Sequence, residues 1–202
     1  MDIQFAQARA TIRNLPRAFV TKDARPLTLD LFAPSRCRGL VDAYLGYQPR
    51  NSFQGLPPPN DSVCVRWVEG MMETGVNLAA CCSSGEIAGH AALFPIDGRR
   101  CEMLIVVWPQ FQNVGIGTAL TQACIESAAE LGFQRIWLPV DATNVRARHI
   151  YRKCGFQNVS RELSREVEMV CDLKADAVTP TVERFAPAYV GFLAGGPTVA
   201  AR

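Results

Sequence analysis

The stretch of this chain best suited to chemistry is Trp108-Pro109-Gln110-Phe111-Gln112-Asn113-Val114-Gly115-Ile116-Gly117-Thr118. It joins an apolar run to the start of a helical one. Its glycines, Gly115 and Gly117, fall where that helix begins. A helix N-terminus leaves its first N–H groups unpaired and carries about half a positive charge. Glycine lets an anion approach the backbone with no Cβ in the way. Such a turn suits a phosphate or pyrophosphate held on main-chain amides. The same spacing also makes a tight strand–helix turn with no ligand, so the turn alone leaves both readings open. Other side chains are of types that move protons. Glu102 stands among Met103, Leu104 and Ile105, an apolar setting that raises a carboxyl pKa. His90 lies on a neighbouring run, in Gly89-His90-Ala91-Ala92. Tyr151 shares a helical face with Ala147 and Ile150. Each has a plainer reading: Glu102 as a strand end facing solvent, His90 as a satisfied sheet residue, Tyr151 as core.

These residues need elements to place them. Pro26 to Phe32 alternates Leu27, Leu29 and Leu31 with polar partners, which predicts a strand. Pro34 opens a helix running to about Tyr47. Gln48 to Pro59 ends in successive prolines and reads as a loop. Asp61 or Ser62 caps a helix that stops at Gly75. Val76–Cys82, Glu86–Phe94 and Cys101–Val107 are consecutive strands with turn-type connectors, an antiparallel meander. Gly115 to Leu131 turns helical, with Gly132 as terminator. Arg135–Val140 reads as a strand, Asn144–Lys153 as a helix, and Phe156–Val159 and Glu166–Leu173 as the last strands. Residues 1–25 then form a loosely attached arm, 26–173 the domain, and 174–202 a tail.

Two spaced motifs coincide in this order. Gln112-Asn113-Val114-Gly115-Ile116-Gly117, preceded by Pro109, is followed by Asn144, Ala147, Tyr151, Gly155 and Phe156. Together they resemble the GNAT superfamily, the Gcn5-related N-acetyltransferases. That family's signature is Gln/Arg-x-x-Gly-x-Gly/Ala, often followed by Asn-x-x-Ala-x-x-x-Tyr-x-x-x-Gly-Phe. The resemblance is clearest over 76–173. It implies an α/β (α+β) fold with a mixed, mostly antiparallel sheet of about seven strands, helices on both faces, and splayed fourth and fifth strands. It implies acetyl-CoA as co-substrate in that gap, and no metal. By position, Gln112, Asn113, Val114, Gly115, Ile116, Gly117 and Thr118 would hold the pyrophosphate. Backbone of Ile105, Val106 and Val107 would pair with the pantetheine arm as an added strand. Asn144 would contact the cofactor near the pantetheine, and Tyr151 would protonate the leaving thiolate. A backbone N–H on the splayed strand would stabilise the oxyanion.

The chain departs from the family in two places. No Lys or Arg lies between 108 and 123, so any counter-charge for phosphate must come from elsewhere. Arg146, Arg148, Arg152 and Lys153 stand on the following helix, where they could help at the adenosine end, though a solvated helix face is the simpler reading of them. The fifth-strand position where protein-acetylating relatives often carry a Glu base holds Pro139. Glu102 is then the best candidate to take the amine's proton, directly or through water. The loop Pro49–Pro59 falls where the family builds its acceptor-side wall, making Arg50, Asn51, Ser52, Phe53 and Gln54 candidate substrate contacts, Arg50 and Phe53 foremost, beside the equally open reading of a purely structural loop.

Composition bounds the rest. Lys+Arg 21 against Asp+Glu 19 leaves +2, no field to hold a polyanion, so no nucleic acid is expected. No apolar run approaches the roughly 18 residues of a membrane span. The 8 cysteines show no C-x-x-C pair and neither of the 2 histidines stands near a Cys pair, so the cysteines read as small buried hydrophobes. Free cysteines behind a start with no secretory signal point to a reducing, cytoplasmic setting. The expected activity is acetyl transfer from acetyl-CoA directly to a primary amine of a small-molecule or amino-acid-like acceptor, by a monomer or a homodimer. The alternative is a non-catalytic acyl-CoA-binding regulatory module. Pro139 favours it; Asn144 and Tyr151 weigh against it.

Overall fold

The computed structural model describes residues 3–52, 55–159 and 165–173. Its first finding is a correction: the residues before Pro26 are no loose arm. α1 (Ile3–Thr11) places Ala8 in the core, and the chain beyond it buries Ile12 and Leu15. That spacing is one face of a helical turn and its exit, set among arginines that disguise it. β1 (Arg17–Val20) pairs antiparallel with β2 (Pro26–Leu31). Arg17 also meets Glu126 at 2.6 Å, tying this hairpin to a distant part of the chain.

A 3-10 turn at Pro34–Arg36 leads into α2 (Cys37–Leu45), shorter at both ends than expected. α3 (Asp61–Thr74) is capped by Asn60 rather than by Asp61 or Ser62; the Asn60 side chain accepts from Val63 N–H. The meander forms as expected, from β3 (Val76–Cys82), β4 (Ile87–Pro95) and β5 (Arg100–Val107). Then come α4 (Ile116–Glu130), β6 (Arg135–Asp141), α5 (Val145–Lys153), β7 (Gln157–Asn158) and β8 (Glu166–Asp172). The tail expected over 174–202 lies outside the described residues. None of the described helices is long and apolar enough to cross a membrane.

The strands make one sheet of 8, in the order β1-β2-β3-β4-β5-β6-β8-β7. It exceeds the expected seven because the hairpin before Pro26 adds β1 at one edge. β5 and β6 are its one parallel pair among the described strands, and they pair only at Arg100↔Arg135, Cys101↔Ile136 and Glu102↔Trp137. β5 stays bonded to β4 as far as Val107↔Gly89, and β6 to β8 as far as Asp141↔Glu166. Each strand follows its other neighbour, and the two part beyond Glu102 and Trp137. Pro139 lies in the stretch of β6 that β5 has left, opposite Glu168 of β8 on the other side.

Helices hold both faces in place. On one, α4 comes so close that a Cβ on Gly89 would lie 2.8 Å from Leu120 Cδ1 and 3.1 Å from Ile116 Cγ2. Gly89→Ala should therefore cost about 1–3 kcal/mol through overpacking. A lower denaturation midpoint would show it; an unchanged midpoint would mean α4 is free to shift. On the other face, Tyr44 of α2 is fully buried, with ring centres 5.1 Å from Trp67 and 5.2 Å from Trp108. Such edge and tilted contacts fix α2 and α3 over the meander.

Candidate active site

The parting of β5 from β6 opens a cleft of about 660 Å³. Met103 to Val107 of β5 form one wall and Pro139 to Asp141 of β6 the other. The turn at Gln112 and the first half of α5 close one end, and Tyr47, Ser52 and Leu56 line the side beyond α2.

The structure brings most of the expected cofactor residues to this one cleft. Ile105, Val106, Val107, Gln112, Asn113, Gly117 and Asn144 all line it, together with Tyr151, the expected acid. Gln112 acts as a brace. Its Nε2 donates to the Val107 carbonyl at 3.1 Å, and its Oε1 accepts from Arg146 Nη1 at 2.8 Å. Asn113 (φ 67°) and Gly115 (φ 99°) are left-handed, a geometry that turns successive N–H groups toward one side. A Cβ on Gly117 would sit 3.2 Å from Ile150 Cδ1 and 3.8 Å from Val107 Cγ2, where α4 and α5 approach β5. Val114, Gly115, Ile116 and Thr118 complete the turn without lining the cleft. The Val114 carbonyl is taken by Lys22 N–H at 3.0 Å, and Ile116 is buried.

Asn144 caps α5: its Oδ1 accepts from Ala147 N–H at 3.1 Å. Its amide nitrogen then remains free to donate to a ligand, and Oδ1 keeps one lone pair. Asp141 is braced similarly, accepting from Thr143 N–H and Oγ1. Those hydrogen bonds hold its carboxyl below the usual carboxylate range. Tyr151 is half-buried, with its ring 5.6 Å from that of Phe156. Burial pushes its phenol above the ordinary value of 10.0, so it stays protonated at neutral pH.

Glu102 occupies the last β5–β6 pair, where the gap begins. A Cβ on Gly75, at the end of α3, would lie 2.7 Å from Cε1 of Phe94, the β4 partner of Glu102, and this places Glu102 on the α2–α3 face. It is 5 % exposed, and its Oε1 has no hydrogen-bond partner. Burial raises its pKa to about 7. Glu102 is not itself among the residues lining the cleft.

His90 is excluded as a base by its own hydrogen bonds. Asn77 Nδ2 donates to the carbonyls of Met71 (2.9 Å) and Gly75 (2.7 Å), so its Oδ1 must be what faces His90 Nε2 at 3.1 Å. Nε2 therefore carries the proton, and Nδ1 accepts from the Tyr44 hydroxyl at 2.9 Å. Burial depresses the ring pKa to about 3. His90→Phe should orphan both partners and cost about 1–3 kcal/mol of stability. The wild-type ring must also charge on unfolding in acid. Its contribution is present above 6.5 and lost as pH falls toward about 3, a loss the Phe variant lacks. Melting curves across that range check both effects.

The expected acceptor contacts fare differently. Arg50 does not enter the cleft; its Nη2 pairs with Asp61 at 2.7 Å, closing the proline loop onto the start of α3. Phe53 lies outside the described residues. Ser52, a candidate from the same loop, does line that wall, and Tyr47, Pro49 and Leu56, which sequence reasoning missed, complete it. Nothing local marks them, since what exposes them to the gap is the path of the loop.

Fold and site define an α/β protein that opens a cleft inside a single sheet, at the end of a glycine turn. The chain belongs to the GNAT acetyltransferase family, whose model matches residues 47–156, more than half of its length. Spermidine N(1)-acetyltransferase of Escherichia coli is 36% identical over 85 residues, which are 41% of this chain and 45% of that protein. The GNAT domain of S. lividans PAT superposes with a TM-score of 0.70 at 17% identity, over 80% of this chain and 99% of that one. A phosphinothricin acetyltransferase from Sinorhizobium meliloti in complex with AcCoA superposes with a TM-score of 0.61 at 17% identity, over 80% and 96%. The chain spans about half the length of the curated relatives it matches.

Proposed function

We propose that this chain is an acetyl-CoA-dependent N-acetyltransferase that passes the acetyl group directly to a primary amine of a small molecule. The observation that carries the proposal is the free edge of β5 from Met103 to Val107, which leads to the Gln112–Gly117 turn. An extended amide chain pairs with such an edge as an added strand. The turn's amides and the start of α4 suit the pyrophosphate at its end. The absent Cβ at Gly117 fits the same ligand, because a side chain there would fill the cleft between Val107 and Ile150. When bound, acetyl-CoA supplies an activated acyl carbonyl and a thiolate leaving group.

The chain's own residues then divide the work. Gln112 to Thr118 hold the phosphates by backbone, Ile105 to Val107 align the pantetheine arm, and the Asn144 amide nitrogen donates to it. Glu102 takes the ammonium's proton, reached from the α2–α3 side directly or through water. A backbone N–H on the free edge of β5 meets the oxyanion. Tyr151 donates to the departing sulfur. Full proton transfer from a phenol above 10 to a thiol of about 8.5 is uphill, so its contribution is a hydrogen bond as charge develops. Tyr151→Phe should lower kcat by about 100-fold with acetyl-CoA affinity nearly unchanged, measured by initial rates and titration.

The acceptor side is lined by Tyr47, Pro49, Ser52 and Leu56, a largely apolar wall that carries the Tyr47 and Ser52 hydroxyls, which favours an amine with a mostly apolar body. Free-thiol release from acetyl-CoA across a panel of primary amines tests the proposal. Saturable, amine-dependent release supports it. The placement of Glu102 outside the cleft lining favours the second reading, a non-catalytic acyl-CoA-binding module. That module would bind the thioester and release no thiol with any amine.

A further inference from the structure

Two charged side chains stand among the described residues that line the cleft, Arg146 and Asp141. Arg146 faces the glycine turn, where it donates to Gln112 Oε1 at 2.8 Å. Asp141 stands on the other wall, as the last residue of β6. Thr143 N–H and Oγ1 donate to its Oδ1 at 2.8 Å and 2.6 Å, and those bonds keep the carboxyl ionised at neutral pH. Arg165, whose carbonyl accepts from Ala142 N–H, is a neighbouring cation. Asp141 forms an ion pair neither with it nor with any other described residue. Its partner across the β6–β8 ladder is a second acidic residue, Glu166.

A carboxylate repels a ligand whose phosphates are anions. Asp141 is therefore suited to the other ligand of the cleft, the acceptor. The sheet register places it on the acceptor's side. Glu102 pairs with Trp137, and side chains alternate along a strand, so Trp137, Pro139 and Asp141 share the α2–α3 face with Glu102. Ile136, Leu138 and Val140 face the other way and are buried.

Asp141 is too far from the reacting end to meet the same nitrogen. It lies four residues beyond Trp137, about 13 Å at the rise of a strand. The next helix gives a similar span. β6 and β7 both pair antiparallel with β8, so α5 runs back along β6. Tyr151 lies six residues past Val145, about 9 Å along that helix from its start near Asp141. An ammonium that gives its proton to Glu102 cannot also pair with Asp141.

We infer that the acceptor carries a second cationic group about 10 Å from the amine that reacts, and that Asp141 binds it. The substrate class is then a diamine with a hydrocarbon spacer, which the largely apolar wall of Tyr47, Pro49 and Leu56 suits. This rests on the reading of the chain as an N-acetyltransferase, and it names the acceptor class which that reading leaves open.

The test is the initial rate of thiol release from acetyl-CoA with α,ω-diamines of increasing length, each beside the monoamine of equal length. In the wild-type chain, diamines spanning about 10 Å should exceed their monoamines about 3–30-fold in kcat/KM, mostly through KM. Asp141→Asn keeps an oxygen for the Thr143 bonds and should erase that preference. Asp141→Lys should reverse it, in favour of amines of the same length that end in a carboxylate. Thermal midpoints report that both variants are folded. No diamine preference at any length in wild type would overturn this inference and leave acetyl transfer standing. A preference that survives in Asp141→Asn and Asp141→Lys would overturn the role of Asp141. A wild-type chain that releases no thiol with any amine would overturn the transferase reading itself, and this inference with it.

Discussion

Glu102→Gln should lower kcat by about 10²–10⁴-fold, the usual contribution of a positioned general base. An amine substrate arrives as an ammonium and must lose a proton before it attacks. Glu102 stands where β5 and β6 part, with one carboxyl oxygen unpartnered and its pKa raised by burial to about 7. The base is active only when ionised, so the wild-type rate should rise with pH through about 7 and then level. The Gln variant should lose that acid limb and keep only the slope set by the amine itself. A stability effect accompanies it. The folded value lies above 4.5, so the neutral carboxyl is the form the fold favours. Its contribution is complete below 4.5 and is lost as pH rises through about 7, and Gln should flatten that decline. A Gln variant with the wild-type kcat and the same acid limb would place the base elsewhere.

Gly117→Trp should weaken acetyl-CoA binding by more than about 100-fold, because a ligand in a cleft of this kind buries most of its surface. The position is a narrowing, with Val107 on one side and Ile150 on the other. The nearest atom to a new Cβ is the flexible end of Ile150, which can give way, so the fold should survive. Loss of binding with an unchanged melting midpoint locates the ligand at this turn. Binding equal to wild type would move it out of the cleft.

The parts of this account that were legible in the sequence are those with a local period or a fixed spacing. The meander β3–β5 shows apolar runs bounded by turn residues, and α4 shows its helical face and terminal glycine. The paired motifs around Gly115 and Tyr151 placed the cleft walls that later closed around them. β1 escaped notice because Arg17–Val20 is short and half-exposed, with no alternation to mark it. The α3 cap was ambiguous because Asn60, Asp61 and Ser62 are all good capping residues, and only the observed bond to Val63 separates them. Arg50 went to Asp61 because a long side chain takes whichever partner the loop path offers. Lys22 carries no local signal at all. The bond from its N–H to the Val114 carbonyl joins residues far apart along the chain, and only the closed sheet creates it. The burial of Glu102 was readable from its neighbours, whereas its position at the point of divergence depends on where β6 stops following β5.

The most direct test of the central claim is a calorimetric titration of the wild-type chain with acetyl-CoA. The free edge of β5 and the Gln112–Gly117 turn predict saturable binding at one site per chain. A flat titration at concentrations where such a cleft should fill would contradict the claim, and the glycine turn would then be only the joint between a strand and a helix.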